Sequence, residues 1–210
     1  AALRHVEEVT DPKTGRAGYT DRGGGSARPS ELRDRFPKEK TRAMTAEACV
    51  IRAVMGQDPR WTAAFGRSIE QCLGHLPDWN PESGSIDMYY WLMGTRACAH
   101  AGSASWRKWA KALMEAVWKH QFWKGSGSRT GSWDPIGPWG PDGGRVYATA
   151  LMTTCLVIAD GDGIPLRVLP PKHSRYRKLI STLRSFARHP DIQLREAAEV
   201  SLRACGLRAR

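Results

Sequence analysis

Two short stretches carry residue types that could do chemistry, at spacings that would bring them together. Asp87, Tyr89, Tyr90 and Trp91 open one apolar run. Trp133, Asp134, Trp139, Asp142, Arg145 and Tyr147 surround the opening of another. Aromatic walls with a few convergent charges are the composition of a ligand pocket. The same residues allow a second reading, in which Asp134 and Arg145 pair to pin a glycine-rich loop while the tryptophans fill the core. Catalytic arrangements are scarce. His5, His75, His100, His120, His173 and His189 are isolated, with no two at a ligand spacing, so no metal site is expected. There is no Gly-x-Ser-x-Gly elbow and no phosphate loop, and Gly23-Gly24-Gly25 alone is too generic to count as one. No cofactor is implied.

Charge adds a third candidate surface. The net charge is +11, but it is unevenly placed. From Arg167 to Arg210 there are eleven Lys/Arg and three Asp/Glu, which leaves +3 for everything before them. Lys172, Arg175, Arg177, Lys178, Arg184 and Arg188 make the densest part of this basic segment. Such a patch could meet nucleic acid, anionic lipid or an acidic partner; its other reading is a solvated helix face. Cys49, Cys72, Cys98, Cys155 and Cys205 are widely spread, form no Cys-x-x-Cys pair and each sit in an apolar helical pattern. They are expected as buried free thiols, which favours a reducing compartment. No apolar run is long enough to span a membrane.

These residues need elements to position them. The chain opens inside a helical pattern, Ala1 to Val9, as a piece of a longer polypeptide would. Asp11 to Lys40 is rich in Gly, Pro, Arg and Asp and reads as a long loop, of a length that usually serves a function or wraps a surface. Arg42 to Met55 is apolar around most of a helical circumference and ends at Gly56. Asp58-Pro59 reads as an N-cap and first helical position for a more polar helix, Arg60 to Leu73. A second pair follows: Ile86 to Ala101, largely apolar, and Ser105 to Phe122, amphipathic through Trp106, Trp109, Leu113, Val117 and Trp118. A glycine-rich loop spans Gly125 to Gly144. Val146 to Ala159 has no charge in fourteen residues and reads as a buried helix by its length. After a loop from Asp160 to Pro171, helices are expected over Ser174 to Arg188 and Ile192 to Cys205. Buried and amphipathic helices thus alternate as a degenerate helical-hairpin repeat, with the buried helices forming an inner layer.

Several stretches carry a family resemblance. Gln121 followed by Gly131-Ser132-Trp133 resembles a stretched Gln…Gly-x-Trp repeat of the terpenoid cyclase and prenyltransferase superfamily. Gly143-Gly144-Arg145-Val146-Tyr147-Ala148-Thr149-Ala150-Leu151 is similar to the junction of loop and inner helix in its α/α toroids. Ser85 to Thr95 and Thr14 to Thr20 are similar to segments of large bacterial repeat proteins of the same class. The resemblance covers about residues 1 to 160. It implies an all-α fold, a partial α/α toroid of helical hairpins over residues 1–163, with residues 164–210 as a basic C-terminal helical cap. Asp191 to Ala198 resembles the second helix of a HEAT repeat.

The family's chemistry does not come with the resemblance. Its cyclases protonate an alkene with clustered aspartates, a strong-acid arrangement. Asp160-Gly161-Asp162-Gly163 lacks the third aspartate and sits among turn-forming glycines. Its prenyltransferases hold zinc through an Asp-x-Cys pair and a histidine, to make a thiolate. Here Asp87 is followed by Met88 and Tyr89, and Tyr147-Ala148-Thr149 stands where that histidine would fall. Thioester domains need Gly-Cys-Gly-Glu-Gln, whereas Cys72 lies in Glu70-Gln71-Cys72-Leu73-Gly74. The expectation is therefore a non-catalytic helical-repeat module that binds a protein or polymer partner. The alternatives are a divergent isoprenoid-handling or lipid-binding protein, and an anionic-polymer binder acting through the basic C-terminal helices.

Overall fold

The computed structural model describes residues 2–123 and 126–161, together with Ser181, Arg184, Ser185, Arg188 and Arg195. Lys172, Arg175, Arg177 and Lys178 of the basic segment lie outside the described residues, as do Cys205 and most of the two expected C-terminal helices. Arg184 and Arg188 are exposed.

Among the described residues there are six α-helices and no strand. They are α1 (Ala2–Val9), α2 (Ala43–Val54), α3 (Ala63–Leu73), α4 (Met88–His100), α5 (Ser103–Trp118) and α6 (Gly140–Gly161). The centre is α4, which touches α2, α3, α5 and α6. Helices α2, α4 and α6 stand in a row, with α3 and α5 against them and α1 against α2. The order follows from side-chain chemistry. Helix α4 buries Met88, Tyr90, Trp91, Gly94, Thr95, Ala97 and Cys98, which cover more than one face, so it must sit inside. Helix α3 buries Phe65, Ser68, Ile69 and Cys72, the single stripe of a helix with one side in water.

The core is built around tryptophan. Trp91, Trp106, Trp109 and Trp133 are fully buried and pack with Leu113, Met152 and Leu156. Each indole is costly to lose, with truncation to alanine removing about 3–5 kcal/mol. Two of them also find polar partners: Trp109 Nε1 donates to Thr95 Oγ1 at 3.0 Å and Trp133 Nε1 donates to the Val117 carbonyl at 2.7 Å.

Several boundaries differ from the sequence expectation: α5 ends at Trp118 rather than Phe122, and those of α3 and α6 move for identifiable reasons. Helix α3 starts at Ala63, because the Asp58 carbonyl accepts from the amides of Trp61 and Thr62 and closes a separate turn there. The Asp58 carboxylate caps that turn through the Arg60 amide at 2.8 Å rather than capping the helix. Helix α6 gains a turn before the expected start and is interrupted at Gly144, whose φ of 61° and ψ of −164° only glycine adopts freely. It also continues through Asp160 and Gly161, where a loop was expected.

Residues 10–42 form an ordered wrap. Thr10 and Ala17 make an isolated antiparallel bridge. Gly15 is pressed on the start of Ser68, where a Cβ would lie 2.5 Å from the Ser68 nitrogen, and the Ser68 hydroxyl donates to its carbonyl at 2.6 Å. The Ala17 amide donates to Thr45 Oγ1 at 3.1 Å, and Arg67 Nε donates to the Pro12 carbonyl at 2.8 Å.

Cys49, Cys72, Cys98 and Cys155 are free and buried. Burial pushes the Cys155 thiol up to about 12 and raises Cys49 and Cys98 as well. An unfolded thiol ionises near pH 8.5, so the buried, protonated state contributes its full stability below that value. The contribution is lost as pH climbs towards 12, because the unfolded chain sheds protons that the folded chain keeps. Calorimetric melting temperature is therefore expected to hold steady between pH 7 and 8 and to fall continuously above pH 9. A temperature that stays level to pH 11 would contradict this burial.

Candidate functional site

Asp87 is the N-cap of α4, and its Oδ1 accepts the Tyr90 amide at 3.0 Å. Its Oδ2 accepts from Thr41 Oγ1 at 2.9 Å and from Arg28 Nη2 at 2.8 Å. Thr41 Oγ1 also accepts the Ala43 amide at 3.2 Å, so one hydroxyl ties the first turn of α2 to the first turn of α4. Arg28 comes from the wrap. Its side chain is 4% exposed and that of Asp87 1%, so the ion pair is dry. The remaining guanidinium donors reach the Phe36 carbonyl through Nε at 3.1 Å and the Ala27 carbonyl through Nη1 at 3.0 Å. A buried pair is tolerable only when its other polar atoms are satisfied in this way.

The other residues of this first stretch divide. Tyr89 is half-buried and donates to Glu47 Oε2 at 3.1 Å. Burial first, then the Glu47 carboxylate, push its phenol up to about 12, which keeps it a donor. Tyr90 turns into the core, where its hydroxyl faces the Cys72 and His75 carbonyls at 3.1 and 2.7 Å. Trp91 is buried and leans on Trp79, with centroids 5.9 Å apart.

The second stretch meets the same end of the bundle. Met88, Trp139, Tyr147 and Ala148 line one cavity of about 10 Å³, roughly the space of a single water. Gly137 lies against the Ile86 carbonyl, which a Cβ would approach to 3.2 Å. The Tyr147 phenol is raised by burial first and then by the Asp87 charge. Asp134 and Arg145 do pair, at 2.5 Å, and Arg145 also lies 5.1 Å over the Phe122 ring. The pair pins the loop before α6. Trp133 is buried in the core, Trp139 is half-buried and Asp142 is exposed in the first turn of α6. Asp87, Tyr89 and Tyr147 thus converge, whereas Tyr90, Trp91 and Trp133 are core.

The wrap adds a feature that sequence reasoning missed. It encloses an open cleft of about 710 Å³, lined by Tyr19, Asp21, Arg28, Arg33, Asp34, Lys38 and Glu39, with the Gly24 and Gly25 backbone between them. Gly25 allows the closeness of this wall, because a Cβ there would fall 2.4 Å from Lys38 Cδ. Arg28 belongs to both places: it lines the cleft and is anchored on Asp87. The cleft therefore sits over the end where α2 and α4 begin. Its charges are of both signs. Among the described residues no group of three His, Cys, Asp or Glu side chains is placed to hold a metal. The length of the 11–40 loop was the one signal for this site.

Comparison of the chain with protein-family models, with curated proteins and with solved structures finds no match in any of the three.

Proposed function

We propose that this chain is a non-catalytic helical binding module, built of helical hairpins in the manner of a partial α/α toroid. It takes a protein or polymer partner at the end where α2, α4 and α6 begin, with the basic C-terminal segment as a second contact. The observation that carries the reading is the cleft of about 710 Å³, one of whose lining residues, Arg28, is locked on buried Asp87. A preformed, rigidly anchored concave surface lowers the ordering cost of association. Its wall of both charge signs and bare glycine backbone suits a polar, hydrogen-bonding chain rather than a hydrocarbon.

The isoprenoid-handling alternative needs an aromatic cavity and an available strong acid. Trp91, Trp106, Trp109 and Trp133 are instead packed as core, and Asp87 is occupied by three donors. No helix among the described residues is long and apolar enough to cross a membrane.

Site-specific photo-cross-linking in cells tests the proposal. A photoreactive phenylalanine in place of Tyr19, which is 58% exposed at the cleft, or of Asp142 is expected to give one discrete adduct. The same group in place of exposed Glu7 on α1 is expected to give none. Adducts from Glu7 as strong as those from Tyr19, or none from either cleft position, would overturn it.

A further inference from the structure

A second surface, on the outer face of α5, has a chemistry that the cleft does not share. Arg107, Lys108, Lys111 and Lys119 are all exposed, and Glu115 is the acid among them. At 3.6 residues per turn these positions fall within about 120° of arc and along about 18 Å of helix. None of the four bases forms a salt bridge among the described residues, Glu115 included as a partner. Four cations against one carboxylate repel one another, and the excess is relieved by an anion that runs the length of the helix.

The stripe ends in aromatic rings rather than in more charge. Trp118 and Trp123 meet at 5.1 Å. Exposed His120 stacks on Trp79, 4.7 Å apart and within 6° of parallel. The guanidinium carbon of exposed Arg129 lies 4.6 Å from the centre of the Phe122 ring, and that of Arg145 lies 5.1 Å from it. The segment is held in place: the Phe122 amide donates to the Ser132 carbonyl at 2.9 Å and the Gly131 amide donates back to Phe122 at 2.5 Å. A flat imidazole and a flat guanidinium, each supported from behind by an aromatic ring, are platforms on which a planar base can stack.

We propose that this surface binds single-stranded nucleic acid, with phosphates along α5 and bases stacked on His120 and Arg129. A duplex keeps its bases stacked on each other and cannot use those platforms. An anionic lipid surface would use exposed apolar side chains beside the bases, but among the described residues the exposed large ones, Tyr19, Val54, Met55, Trp61 and Val146, all lie outside α5. An acidic protein would satisfy the cations and leave the platforms unused.

The test is fluorescence anisotropy of the full chain with labelled 12-mers of oligo(U) and oligo(dT), and with an abasic strand of equal phosphate count. Binding is expected to weaken with salt, and the triple variant R107E/K108E/K111E to lose at least about tenfold in affinity and about 2 units of log–log salt slope. His120→Ala is expected to weaken oligo(dT) several-fold and leave the abasic strand unchanged. The three bases of the triple variant are exposed and form no salt bridge among the described residues, so its melting temperature is expected to stay near that of the parent chain. His120→Ala also gives up stacking on Trp79, so its effect is read as the difference between oligo(dT) and the abasic strand on the same folded protein. Three results would overturn the proposal. One is undiminished binding by the triple variant while R175E/R177E/K178E loses it, which moves the polyanion site to the C-terminal segment. Another is equal affinity for the abasic strand. The third is retention on phosphatidylserine vesicles without retention of either oligonucleotide.

Discussion

Asp87→Ala is expected to destabilise the chain by about 3–5 kcal/mol, the cost of stranding one partner of a buried ion pair. Losing the helix cap alone would cost about 1 kcal/mol. The difference arises because Asp87 holds three donors from three parts of the chain: Arg28 at 2.8 Å, Thr41 at 2.9 Å and the Tyr90 amide at 3.0 Å. Alanine would leave the Arg28 guanidinium charged, 4% exposed and without a counter-charge. For a chain of this size each kcal/mol moves the melting temperature by about 2–4 °C, so a fall of roughly 6–20 °C is expected. Asp87→Asn separates the two contributions, since its carbonyl can still accept the Tyr90 amide. Urea unfolding of both variants checks the account. A loss of about 1 kcal/mol for Asp87→Ala would reduce Asp87 to a cap and detach Arg28 from the argument.

Gly94→Ala carries the second large effect, and here two contributions of opposite sign compete. Gly94 lies inside α4, where alanine gains about 1 kcal/mol of helix propensity. A Cβ at this position would fall 2.2 Å from Trp109 Cη2 and 2.3 Å from Cζ2. The indole cannot retreat. Trp109 is 0% exposed, its Nε1 is tied to Thr95 at 3.0 Å, and Tyr90 meets its ring edge-on at 5.5 Å. Overpacking of this kind costs about 1–3 kcal/mol on top of cancelling the propensity gain. The net expectation is destabilisation. Trp109→Phe removes the offending ring atoms, so the double variant should be less unstable than the sum of the two single ones. A stabilised Gly94→Ala would contradict the packing of α5 on α4.

The helices were legible because burial imposes a period. The uncharged run from Val146 to Ala159 and the apolar face of Trp106, Trp109, Leu113 and Val117 could be read without any tertiary information. The pairing of Asp134 with Arg145 was also readable, since Asp134 lies in the glycine-rich loop and Arg145 directly follows it. The Asp58-Pro59 signal was ambiguous, because a carboxylate two residues before an amide caps a turn as well as it caps a helix. Arg28 was not readable at all. It sits in a segment with no period, and its partner lies fifty-nine positions away. The cleft shared that fate, because its walls are made by tertiary folding of a loop whose composition only says that it is irregular. The tryptophans misled in part: Trp91 and Trp133 have the composition of a pocket wall but are packed as core.

The central claim is that residues 10–42 are a fixed wall of the binding end rather than a loose loop. Native-state hydrogen exchange, resolved by amide, tests it most directly. The amides of Asp11, Gly15, Gly18, Gly23 and Gly24 donate to backbone carbonyls, and that of Ala17 donates to Thr45. The account predicts that these six exchange slowly, with protection comparable to that of α2. Exchange at the rate of an unprotected chain in this segment, with α2 and α4 still protected, would contradict it: the cleft would then have no wall to bind with.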